Sequence, residues 1–77
     1  MGDLNDRIVI DPGVCNGKPV IRGTRVTAET VLGFLSAGDS ADEILQNYPQ
    51  LTAEDIRACL DFAARIAGHK FSAAKTA

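Results

Sequence analysis

The sequence predicts a mainly α fold: a three-helix, helix-turn-helix-like domain with a short N-terminal β-hairpin. Three observations carry this. The stretch from Ile10 to Val26 is dense in Gly and Pro, residues that fix turns because Gly13, Gly17 and Gly23 accept positive φ while Pro12 and Pro19 hold φ near −65°. Three runs with helical apolar spacing follow it. The last two each open on a capping signature, Ser40 with Glu43 and Thr52 with Asp55.

Taken in order, Arg7 to Asp11 centres on Ile8, Val9 and Ile10, β-branched residues that suit a strand, and Pro12-Gly13 stops it. Asn16-Gly17 favours a turn with positive φ. Pro19 to Ile21 and Thr24 to Val26 read as short extended pieces interrupted at Gly23, and Pro19 confines its piece to an edge or a strand start. The first helix begins at Thr27 or Ala28, its apolar face formed by Ala28, Val31, Leu32 and Leu35, and Gly38 ends it. The second runs from Ser40 to about Asn47, with Ala41, Ile44, Leu45 and Tyr48 inward, until Pro49 stops it. The third spans about Ala53 to Ala67, and Gly68 terminates it.

That last helix is apolar around most of its circumference. Ile56, Cys59, Leu60, Phe62, Ala63, Ala64, Ile66 and Ala67 leave only a narrow polar strip of Glu54, Arg57, Asp61 and Arg65. A helix so broadly apolar must bury two faces, and a small core covers one of them. A homodimer is the expected solution for the second, with Cys59, Phe62 and Ile66 at the dimer or partner interface. The alternative is that the hairpin covers everything. The boundaries that follow are a loose N-terminus at 1–6, one domain at 7–67 and a weakly basic tail at 68–77.

Composition narrows the function. The chain has 77 residues and a net charge of −2, one small domain and no polycation. Residues 1–27 carry four basic and three acidic groups, 28–51 none and four, and 52–77 four and three. Nucleic-acid contact is therefore expected only from the hairpin, the last helix or the tail. Cys15 and Cys59 have neither metal spacing nor an accompanying secretion signal, and no run approaches a membrane span, so a reduced, cytoplasmic protein without membrane contact is expected.

Catalysis finds little support. His69 stands without a carboxylate at fixed spacing, and Cys15 has only Lys18 near it in sequence. Asp39, Asp42 and Glu43 cluster at a helix start, where the dipole favours carboxylates, and read as caps rather than metal ligands. Gly13-x-x-x-Gly17-Lys18 lacks the hydroxyl residue that would complete a phosphate loop. No enzyme, metal or cofactor is expected.

The two capped helices have the layout of a helix-turn-helix, whose second helix would present Ala53, Glu54, Arg57, Ala58 and Asp61 to base edges. Two acids against one base oppose a polyanion, leaving Arg57 as a single plausible guanine contact. The hairpin cations Lys18, Arg22 and Arg25 offer a second route, onto phosphates. The structural alternative for Arg22 and Arg25 is that they bind turn carbonyls or pair with Asp11.

Three segments together resemble a known family. They are Ile8-Val9-Ile10-Asp11-Pro12, Gly17-Lys18-Pro19-Val20-Ile21-Arg22-Gly23-Thr24-Arg25-Val26, and the run from Leu35 through Tyr48-Pro49 and Leu51-Thr52 to Ala58. The family comprises small bacterial proteins long catalogued only as a domain of unknown function and often assigned as antitoxins encoded beside PIN-like ribonuclease toxins. The resemblance covers residues 7–67, and Gly17 to Arg25 is its most specific part. It implies a helix-turn-helix-like fold with an N-terminal hairpin, a dimer, and an antitoxin that masks its nuclease and binds its own promoter DNA. Under that implication, Arg65, Lys70 and Phe71 are the expected toxin-binding residues, cations for an acidic metal site and an aromatic anchor. The alternative is a noncatalytic protein-interaction module without DNA binding; a small enzyme using Cys15 is a distant third.

Overall fold

The computed structural model describes residues 5–68. Its elements are β1 (Ile8–Val9), β2 (Val20–Ile21), α1 (Ala28–Ser36), α2 (Ala41–Asn47) and α3 (Ala53–Ala67). The mainly α, three-helix architecture with a short antiparallel sheet is the predicted one.

The sheet is smaller than the β-branched run suggests. Ile8 pairs with Ile21 and Val9 with Val20, after which Ile10 would face Pro19, which has no N–H to donate. Ile10 is accordingly exposed, and Asp11 already belongs to a turn, its carbonyl accepting from the Val14 N–H at 2.9 Å. Residues Cys15–Gly17 form one 3-10 turn with φ of 50°, 59° and 80°, so positive φ falls on Cys15 and Asn16 as well as on the glycine. Thr24 to Val26 is a return loop rather than a second extended piece. The Thr24 N–H donates to the Ile21 carbonyl at 3.0 Å, and the Ile21 N–H donates to the Val26 carbonyl at 2.9 Å. A bridge between Val20 and Thr27 then delivers the chain to α1.

Thr27 caps α1, its hydroxyl accepting from the Thr30 N–H at 3.0 Å. The other end closes with paired bonds from the Gly38 N–H to the Leu35 carbonyl and from the Asp39 N–H to the Phe34 carbonyl, both 3.0 Å. That pattern requires a left-handed residue, and Gly38 supplies it at φ 101°. Both predicted capping boxes form. Ser40 and Glu43 exchange bonds of 3.1 and 2.7 Å, and Thr52 and Asp55 exchange bonds of 3.3 and 2.9 Å.

One core joins the two halves: Ile8, Ile21 and Val26 from the hairpin meet Val31, Ile44, Ile56 and Cys59 from the helices. Leu51 from the turn after α2 completes it, and the Phe34 and Tyr48 rings, 6.0 Å apart, seal α1 against α2. Two polar ties fasten the hairpin to α3. Arg7 Nη1 donates to Asp55 Oδ1 at 3.0 Å, and Asn5 Nδ2 donates to the Ala58 carbonyl at 3.1 Å and to Asp61 Oδ2 at 3.0 Å. Asn5, placed by sequence ahead of the domain, is thereby bonded into it.

Asp55 therefore caps a helix and anchors the hairpin with one buried carboxylate. Asp55→Ala is expected to cost about 2 kcal/mol in urea unfolding, above the roughly 1 kcal/mol of an ordinary cap. Glu43→Ala, in the exposed box, is expected to cost about half as much or less. Equal losses would show that burial adds nothing.

Candidate functional site

Helix α3 presents different residues at its two ends. Asp55, Ile56, Ala58 and Cys59 are buried, so the first half closes the core. Beyond Leu60 the body falls away. Cys59, Phe62 and Ile66 lie on one stripe at i, i+3 and i+7, and their exposure climbs from none at Cys59, through a half-buried Phe62, to 46% at Ile66. Leu60, on another side of the helix, is 48% exposed.

This corrects one expected interface residue. Cys59 is enclosed by its own chain and unavailable to a second one, because Ile8, Ile21 and the other core residues already surround it. Phe62 packs partly on that core, and Ile66 remains open. Arg65 Nε donates to Asp61 Oδ2 at 3.1 Å, the i, i+4 pairing expected along the polar strip. Lys70 and Phe71, expected to bind a toxin, lie outside the described residues, as does His69.

The start of α3 is less open than a DNA-reading helix needs. Asn5, Asp6 and Arg7 lie beside Glu54, Arg57, Ala58 and Asp61 around one shallow hollow, and Ala58 is buried. Of the residues expected to face base edges, Ala53, Glu54, Arg57 and Asp61 stay exposed. The first turn also carries Glu54 and Asp55, whose charge suits the helix dipole and repels phosphate.

The hairpin cations separate into different environments. Lys18 Nζ pairs with Glu29 Oε1 at 3.1 Å, which offsets its charge locally. Arg22 Nε donates to the Asp6 carbonyl at 2.9 Å, a backbone tie of the structural kind but not the suggested pairing with Asp11. Arg25 and Arg57 make no side-chain hydrogen bond or ion pair among the described residues.

The thiols also differ. Cys15 is partly exposed, and its Sγ–H donates to the Arg25 carbonyl at 3.3 Å. Burial, followed by the negative charge of Asp55, pushes the Cys59 thiol up to about 11 from an ordinary 9.0. No group of three or more His, Cys, Asp or Glu side chains suited to a metal occurs among the described residues. Nor is any helix there long and apolar enough to cross a membrane. Sequence reasoning missed Asn5 as a tie to α3, since its partners lie more than fifty positions away, and it missed the open side of α1 at Gly33.

Fold and surface together define a small helix-turn-helix-like domain with an N-terminal β-hairpin. The chain belongs to the family described as "Protein of unknown function (DUF433)", which matches residues 8–63. It is 40% identical over 50 residues to the uncharacterized protein y4eO of Sinorhizobium fredii, an alignment covering 65% of this chain and 23% of that one. A crystal structure of a DUF433 member protein from Anabaena variabilis matches with a TM-score of 0.75 and 40% identity, over 80% of this chain and 61% of that chain. This chain thus spans less than a quarter of the Sinorhizobium relative and about three fifths of the Anabaena one.

A thiol raised by folding contributes stability that is complete below the unfolded value near 9.0 and lost as pH rises through about 11. The urea midpoint is expected to fall across that window, and Cys59→Ala to flatten the fall. At neutral pH, iodoacetamide should label Cys15 and spare Cys59 in the native protein, as read by peptide mass mapping.

Proposed function

We propose that this protein is the antitoxin of a type II toxin-antitoxin pair: a homodimer that neutralises a PIN-like ribonuclease toxin by direct binding and contacts its promoter DNA only secondarily. The observation that carries the reading is the outer side of α3, where Leu60 keeps 48% of its surface in water away from the stripe that closes the core. Large apolar side chains set beside a charged group are the usual makings of a protein-binding surface. A ribonuclease that holds divalent metal with carboxylates offers an acidic mouth, which suits a cation such as the expected toxin-binding Lys70. The antitoxin role itself comes from the resemblance carried by the Gly17 to Arg25 run and the capped helices.

A second reading, a noncatalytic protein-interaction module without DNA binding, is favoured by one feature. Glu54 and Asp55 open α3, while Asn5 and Arg7 occupy one of its sides, so the second helix suits a protein partner better than a major groove.

Co-expression with a PIN-like nuclease encoded beside it is expected to restore growth, and Leu60→Asp to abolish the rescue while circular dichroism and dimerisation stay unchanged. Deleting residues 68–77 is expected to weaken the rescue through loss of Lys70 and Phe71; full rescue would assign neutralisation to the helical body alone. In gel shifts with upstream DNA across salt concentrations, Arg25→Ala and Arg57→Ala should each weaken binding and lower the salt slope by about 1. Lys18→Ala, already offset by Glu29, should change it less. No shift at any salt concentration would select the second reading.

A further inference from the structure

A groove runs between the outward side of α1 and the far half of α3, lined by Pro19, Leu32, Gly33, Ser36 and Phe62, with Glu29 at its rim. Gly33 leaves it open on the α1 side, since a Cβ added there would meet nothing within 4 Å. One turn beyond Phe62 on α3 stands Ile66, on the stripe that forms the core further back but 46% exposed. Groove and peg thus occur side by side on one chain, and Ile66 cannot fill a groove whose wall is its own helix.

We propose that the groove receives Ile66 from a second copy of this chain, through an antiparallel, two-fold contact between the far halves of the two α3 helices. This rests on the homodimer of the proposed function and names its face. Phe62 and Ile66 are four residues apart, about 6 Å along the helix, so a two-fold axis midway between them sets each Ile66 against the other copy's Phe62 at the same time. Charge fits the same arrangement. Glu29 on the rim has a side chain 76% exposed, and Arg65, next to Ile66, is 61% exposed, so each Arg65 arrives at the opposite Glu29. The Lys18–Glu29 and Asp61–Arg65 pairs are solvent-exposed, and pairs of that kind rearrange at little cost. Ser36 and Gly33 keep the receiving side of α1 low enough for a helix to approach closely.

Sedimentation equilibrium of the full chain over a concentration series tests this, with circular dichroism to confirm folding. The wild type is expected to dimerise. Gly33→Leu, whose Cβ meets no atom within 4 Å in the monomer, is expected to weaken the dimer about tenfold or more by filling the groove. Glu29→Arg and Arg65→Glu should each weaken it several-fold, and the two together should restore it, which loss of stability alone does not do. A wild type that stays monomeric overturns both the homodimer and this face. A dimer indifferent to Gly33→Leu, or charge variants that fail to rescue each other, overturns the face and leaves the homodimer standing. A dimer that forms only after residues 69–77 are removed would place the chain's own end in the groove and overturns the proposal as well. Loss of toxin neutralisation in variants that dimerise normally would count against the antitoxin role and not against this contact.

Discussion

The arrangement of this domain depends on one buried carboxylate. Asp55, 6% exposed, receives the Thr52 N–H through one oxygen and the Arg7 guanidinium through the other, so it starts α3 and fixes the hairpin to it in a single step. A carboxylate so enclosed is tolerated because its hydrogen bonds are made, and no buried side-chain polar atom among the described residues lacks a partner. The direction of α3 follows from that junction, and with it the direction of the surface at its far end.

Size explains why that surface exists. A chain this short encloses only a small core, and Ile8, Ile21, Val31, Ile44 and Cys59 already complete it before α3 ends. The helix continues for two further turns. It keeps the same apolar stripe, but no other element among the described residues reaches that far, so Ile66 meets water where Cys59 meets core. The helix is a structural member at one end and an exposed surface at the other.

Local features were legible in the amino-acid sequence. The two capping boxes, the glycine closing α1 and the break at Pro49 are each decided within four or five residues, by backbone groups that need a partner and side chains that supply it. The candidate surface was legible in outline, since an over-apolar helix announces a second buried face. Its membership was not. Cys59 and Ile66 have the same helical azimuth and similar hydrophobicity, and the distinction between them lies only in where the other elements stop. The hairpin cations show the same limit. Lys18 reaches Glu29 and Arg22 reaches the Asp6 carbonyl, contacts across turns whose closure spacing does not reveal.

The amino-acid order by itself determined the helices, their caps, the presence of a hairpin and the family, because each is written in short-range patterns of hydrogen-bonding and apolar side chains. Tertiary structure alone decided that the strands stop where Ile10 would meet Pro19, that Asn5 and Arg7 lie against the start of α3, and that a groove opens at Gly33 beside an exposed Ile66. The physical reason is that burial is a property of the whole packing: a residue's exposure depends on elements distant in sequence, which no local pattern records.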